Sequence, residues 1–313
     1  MSSAFRTDLD LPLPLLAQAR TCRCALHARR RLGGALIGAG ALAAVWPMAP
    51  AMAQQDAECK RSSFTKIVSA DQVENAARQQ YQQMLQQANG QRQLGPMDHP
   101  QVKRLRYIAN RIIPFTQGCN ERSRQWQWDV NLIGSPQLNA FCMPGGKIAF
   151  YFGILAKLQL SDDEVAMIMG HEIAHALLEH ARERMGKTAA TRGAIEIGAA
   201  VLGLGGLGHT VANMGGQLLT LQFSRSDESE ADALGLLLAA RAGYDPRAGV
   251  TLWQKMGAVS KGKQAEFLST HPSGETRIHE IESRLPRVSQ IYAQAAKPDQ
   301  HFGPPVPKAA PQS

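Results

Sequence analysis

His171-Glu172-Ile173-Ala174-His175 is the stretch on which the reading of this chain turns. In an α-helix, residues four apart stand one above the other on one face, so both imidazoles can reach a single metal ion. Glu172 then lies where a carboxylate can take a proton from water at that metal. The surroundings are helical in period: Val165, Ile168, Met169, Ile173, Ala176 and Leu177 recur at three- and four-residue spacing. Ser161 followed by Glu164 is a capping box, and Asp162, Asp163 and Glu164 load the first turn, where negative charge suits the helix dipole. Arg182 and Arg184, before Gly186, mark the expected far end. A chance match on an amphipathic helix is the bland alternative, and a third ligand would decide against it.

Asp227-Glu228-Ser229-Glu230-Ala231-Asp232 supplies a candidate. It opens a second helix through Leu234 and Leu236 to Leu238, ending near Gly243. Glu228 and Asp232 are four apart and share a face, which suits one metal carboxylate and one partner for a ligating histidine's other ring nitrogen. Glu230, two residues round the helix, competes for the role but should point away. Two histidines plus a glutamate, with water in the fourth position, make an open catalytic zinc site. A surface carboxylate near a helix N-terminus is the alternative for Glu228 taken alone.

Upstream, Ser69 and Gln72 open a glutamine-rich helix with Val73, Ala77, Tyr81, Met84 and Ala88 on one face. A second helix is expected from about Pro100 to Ile113, stopped by Pro114. Trp126, Trp128, Val130 and Leu132 alternate with polar residues as a half-buried strand. Ala140 to Met143 and Ile148 to Phe152 flank Pro144-Gly145-Gly146 as a hairpin or bent strand pair. The Gly/Ala-rich region 186–221 has a twelve-residue apolar core from Ile197 to Gly208, too short to cross a bilayer. It reads as a pair of closely packed helices or as a flap near the site.

Residues 1–53 read as a signal peptide: Arg29-Arg30-Arg31, an apolar run from Leu32 to Val45, then Ala51-Met52-Ala53, with cleavage expected before Gln54. Both twin-arginine and ordinary secretion stay open. The leader holds six arginines and two aspartates, so the mature chain keeps +4 of the total +8, which argues against a nucleic-acid partner. The expected organisation is a 54–69 extension, one domain over 70–290, and a disordered 291–313 tail rich in proline and alanine. Cys59, Cys119 and Cys142 remain after cleavage. One disulfide and one free thiol are the simplest account, with Cys59–Cys119 the favoured pair.

These motifs together resemble the gluzincin zinc metallopeptidases of the HtpX, BepA and LoiP kind, with the related mitochondrial Oma and prenyl-protein proteases. Asn139 to Ile148, with Gly153, resembles the strand beside their substrate cleft. His171, Glu172 and His175 match the zinc motif, and Ser224-Arg225 followed by Glu228, Glu230, Ala231, Asp232 and Gly235 matches the third-ligand helix. Ala242 to Pro246, and Thr270-His271-Pro272 with Arg277-Ile278, match two later landmarks. The similarity runs from about residue 70 to 285.

The resemblance implies an α+β, mostly helical fold with a small sheet whose edge strand (Asn139, Ala140, Phe141, Cys142) borders the cleft. It implies one zinc per subunit on His171, His175 and Glu228, with Glu172 as general base and Asp232 orienting a ligand. It further implies His271 closing over the metal, with the start of the final helix as the alternative, and Arg277 holding a substrate or its oxyanion, with a structural salt bridge as the alternative. Cys142 departs from the small residue expected there. The function implied is a periplasmic endopeptidase acting on unfolded or misfolded envelope proteins, with peripheral membrane or outer-membrane assembly association. The alternatives are a chaperone-like assembly factor with a self-inhibited metal site, and a non-peptide zinc hydrolase.

Overall fold

Strand β1 (Asp129–Ile133) runs parallel to β3 (Lys147–Tyr151), and β2 (Ala140–Met143) pairs antiparallel with β3, in the order β1-β3-β2. These are the strands of a computed structural model that describes residues 59–201, 218, 222–260, 266–271 and 275–306. The described residues fall in one compact unit, Ala49–Ser313. Around the sheet pack α1 (Ala70–Gly90), α2 (Pro100–Ile112), α3 (Phe152–Lys157), α4 (Asp162–Leu177), α5 (His180–Val201), α6 (Arg225–Arg241), α7 (Ala248–Ser260), α8 (Glu266–Thr270) and α9 (Glu275–Gln294). The fold is α+β and mostly helical, as expected.

The β2–β3 connection turns on Gly145 and Gly146, both at positive φ (86° and 76°), where a side chain would be strained. At Gly146 a Cβ would also meet the Trp128 ring at 2.7 Å. β1 is shorter than the expected strand. Trp126 and Trp128 stack edge-on before it, and four of its five residues are buried, not every second one. The reason is a cover on both faces: Val130 and Leu132 join the main core, while Asn131 donates to the Tyr81 hydroxyl of α1 at 3.0 Å.

Helix α4 starts as the sequence predicts. Ser161 Oγ accepts from Glu164 N (3.2 Å) and Glu164 Oε2 accepts from Ser161 N (2.8 Å). Its end differs from expectation. The helix stops at Leu177, Glu179 takes a left-handed φ of 59°, and α5 begins at His180. Gly186 is interior to α5 because the Phe64 carbonyl crosses there, 2.1 Å from where a Cβ would stand. The remainder of the Gly/Ala-rich region, 202–217 and 219–221, lies outside the described residues, as does the predicted signal peptide. Among the described residues no helix is long and apolar enough to cross a membrane.

The tail also departs from expectation, because α9 continues to Gln294 and residues 295–306 are tied to the domain. Phe302 N donates to Asp162 Oδ2 (2.8 Å), Asp299 N to the Tyr107 hydroxyl (3.0 Å), and Arg111 reaches the Ala296 carbonyl. Composition suggested disorder, but these anchors hold the backbone in place. Cys59 and Cys119 form the disulfide (Cα–Cα 5.1 Å), and Cys142 is a buried free thiol.

Candidate metal centre

Helices α4 and α6 cross at two glycines. A Cβ on Gly170 would meet the Gly235 carbonyl at 2.6 Å, and one on Gly235 would meet His171 N at 2.7 Å. Only hydrogen at both positions lets the backbones approach this closely. The crossing sets the histidines of α4 against the carboxylates of α6, whose first turn is fixed by a second capping box, Ser224 with Asp227.

His171, His175, Glu228 and His271 converge there, each offering a ligand atom within 4.8 Å of the others, and all four are buried. His171 Nε2 and His175 Nε2 are 3.0 Å apart and lie 3.5 and 3.4 Å from Glu228 oxygens. Their other ring nitrogens are occupied. His171 Nδ1 pairs with Asp232 Oδ1 at 2.9 Å, and His175 Nδ1 with His180 Nδ1 at 2.8 Å. A neutral ring that donates from Nδ1 keeps its Nε2 lone pair for a ligand, so both lone pairs point at Glu228. Glu172 Oε1 is buried without a hydrogen bond, with His271 Nε2 3.5 Å away. Two imidazoles, a carboxylate and an unsatisfied buried oxygen suit a zinc ion.

His271 stands inside the set. Its Nδ1 lies 2.9 Å from Glu228 Oε1 and 3.3 Å from His171 Nε2, and its ring stacks on Phe267. Arg277 lies behind the set and does not line the cleft. Its Nε and Nη2 donate to Asp232 (2.5 and 2.9 Å), its Nη1 is 2.6 Å from Glu228 Oε2, and the guanidinium covers the Trp253 ring. Of the two roles open to Arg277, its contacts are those of the salt-bridge partner, with its donors on Asp232 and Glu228.

The electrostatics follow from these contacts. Burial and Arg277 oppose protonation of His171, yet Asp232 and Glu228 outweigh them and push it up to about 9. Burial holds His175 well below its ordinary value. Burial opposes charge on Glu228 too, but the three imidazoles keep its carboxyl well below the usual range. For Glu172, burial wins and raises the pKa.

A narrow cleft of about 40 Å³ opens beside the set, lined by Asn139 to Pro144, Glu172, His175, Phe223 and His271. Strand β2 is the sheet's edge and pairs only with β3 among the described residues. Asn139 Oδ1 accepts from Ala140 N at 2.9 Å. Cys142 borders this cleft with its thiol raised well above the ordinary value, first by burial and then by Glu172. Sequence reasoning missed His180, whose signal was a histidine five residues past His175. Glu230 points away from the ligand set, as expected, and lies 3.5 Å from His180 Nε2.

The chain is 37% identical over 222 residues to the mitochondrial metalloendopeptidase OMA1 of Schizosaccharomyces pombe, covering 70% of this chain and 63% of that protein. To the metalloprotease LoiP of Escherichia coli it is 29% identical over 206 residues, covering 65% and 78%. To the beta-barrel assembly-enhancing protease of Yersinia pestis it is 28% identical over 189 residues, covering 56% and 37%. The chain spans from 30% to 63% of the length of the OMA1 relatives from plants and fungi. The model of peptidase family M48 matches residues 100–285, the span that carries α4, the edge strand, α6, His271 and Arg277, and the chain therefore belongs to that family.

Proposed function

We propose that this chain is a zinc-dependent endopeptidase, with one zinc per subunit held by His171, His175 and Glu228. The observation that carries the reading is the pair of Nε2 atoms 3.0 Å apart beside Glu228, with Glu172 unsatisfied in the adjoining cleft. Zinc, when bound, supplies the Lewis acidity that ionises water near neutral pH and polarises a carbonyl. Glu172 takes the proton of the attacking water and delivers it to the leaving amine, a task suited to a carboxyl whose pKa burial has raised. Asp232 fixes the His171 ring, and Arg277 fixes Asp232. An extended polypeptide adds as a strand to β2, where backbone hydrogen bonds impose little sequence choice.

Such tolerance suits unfolded or misfolded chains as substrates. The leader-like pattern of residues 1–53 and a disulfide at Cys59–Cys119 support export to an oxidising compartment, the periplasm in a bacterium, and a part in envelope protein quality control. One relative's name, beta-barrel assembly-enhancing protease, supports association with an assembly machinery. The second reading, a resting enzyme closed by its own residue, rests on His271, whose ring sits among the ligands.

Glu172→Gln should retain zinc and lose at least about a hundredfold in hydrolysis of unfolded casein. Casein digestion at the wild-type rate would reject Glu172 as the base. His271→Ala should raise the rate if the ring closes the site, and a fall would reject closure.

A further inference from the structure

A second group of metal-ligating side chains meets on the far side of His175. His180, Glu183 and Asp227 each offer a ligand atom within 4.8 Å of the others; His180 and Asp227 are buried and the Glu183 side chain is 11% exposed. Ordinary roles account for part of the cluster. Asp227 Oδ2 accepts from Ser224 N at 2.8 Å, and Glu183 Oε1 pairs with Lys187 at 2.5 Å. His180 Nδ1 faces His175. These roles leave His180 Nε2 buried and without a hydrogen bond, in a side chain only 1% exposed. Glu230 Oε2 stands 3.5 Å from that nitrogen on a side chain 48% exposed, which opens the cluster to solvent. Lys187 pairs with Glu183 alone, and the contacts of Asp227 are with Ser224.

We propose that His180, Glu183 and Asp227 form a second zinc site, joined to the first through the hydrogen bond between His180 and His175. One imidazole and two carboxylates are a donor set that zinc accepts.

The shared bond makes the two sites antagonists. When His175 ligates through Nε2, its proton is on Nδ1 and is donated to His180 Nδ1, so the proton of a neutral His180 is on Nε2. A cation on His180 Nε2 requires that lone pair, and the proton of the neutral ring moves to Nδ1, against His175. His175 must then accept at Nδ1 and carry its proton on Nε2, where it can no longer ligate. Each ring keeps one proton throughout, and only the positions change. Filling either site therefore weakens the other, by the same factor in both directions.

The site stands on its own residues, whereas the antagonism rests on the peptidase reading. The test is equilibrium dialysis of the purified protein against rising zinc, with elemental analysis and casein hydrolysis on the same samples. Wild type should take up a second, weaker equivalent while its rate falls about tenfold. Glu183→Gln should stop at one equivalent and escape the fall, and Asp227→Asn, which keeps an acceptor for the α6 cap, should do the same. A wild type that stops at one equivalent in millimolar zinc, or variants that bind two, would overturn the site. A second equivalent without loss of rate would overturn the antagonism. A protein inert at every zinc concentration would count against the peptidase reading, and the stoichiometry would still decide the second site.

Discussion

The two histidines of the H-E-x-x-H helix stand one turn apart, yet their far sides are built from opposite materials. Behind His171 is a charged stack, with Asp232 on its Nδ1 and Arg277 clamped to Asp232 and Glu228. Behind His175 is another ring, His180, and beyond it a half-exposed Glu230. One ligand is held by charged partners and the other by a single hydrogen bond between two rings. The first arrangement fixes the site, and the second is where it can be tuned.

Removing the cation should break the first side outright. Arg277→Met leaves Asp232 and Glu228 buried with no guanidinium between them, a loss of about 3–5 kcal/mol. Urea denaturation would read it. A loss under about 1 kcal/mol would mean that the carboxylates find water or protonate, and the charged stack would then be no anchor.

A finer comparison removes one orienting partner at a time. Asp232→Asn should weaken zinc binding by about 10- to 100-fold, the range seen when a ligand's supporting acceptor is lost. His180→Ala should cost less, about tenfold, since it deletes a neutral partner. Competition against a chelator gives both constants. The reverse order would invert the comparison and make the ring pair the stronger support.

Much of this contrast was legible in the sequence, but unevenly. Helical period placed His171 and His175 on one face, and the four-residue spacing put Glu228 and Asp232 together. Ser161 and Glu164 announced the start of α4. His180 escaped because Glu179 turns the chain at φ 59°, so a position five residues past His175 is reached by a bend that no periodicity encodes. Arg277 read as a cation for a substrate or for a salt bridge, and its partners depend on how α9 packs against α6. The buried second face of β1 depended likewise on Tyr81, fifty residues upstream of Asn131.

A further comparison separates the two rings by pH, in zinc-free protein. His171 is raised to about 9 against its ordinary 6.5, burial and Arg277 being outweighed by Asp232 and Glu228. The stability it contributes is therefore complete below about 6.5 and is lost as pH rises towards about 9. His175 is lowered by burial, so its contribution is present above about 6.5 and is lost as pH falls. The limbs have opposite signs, each no steeper than about 1.4 kcal/mol per pH unit. Urea midpoints measured from pH 5 to 9.5 should show His171→Leu flattening the alkaline limb and His175→Leu the acid one. Zinc takes only the unprotonated ring, so loading the wild-type protein should abolish its alkaline limb. If both variants flatten the same limb, the two histidines titrate as one unit, and charge on one side against neutrality on the other is the wrong description of the site.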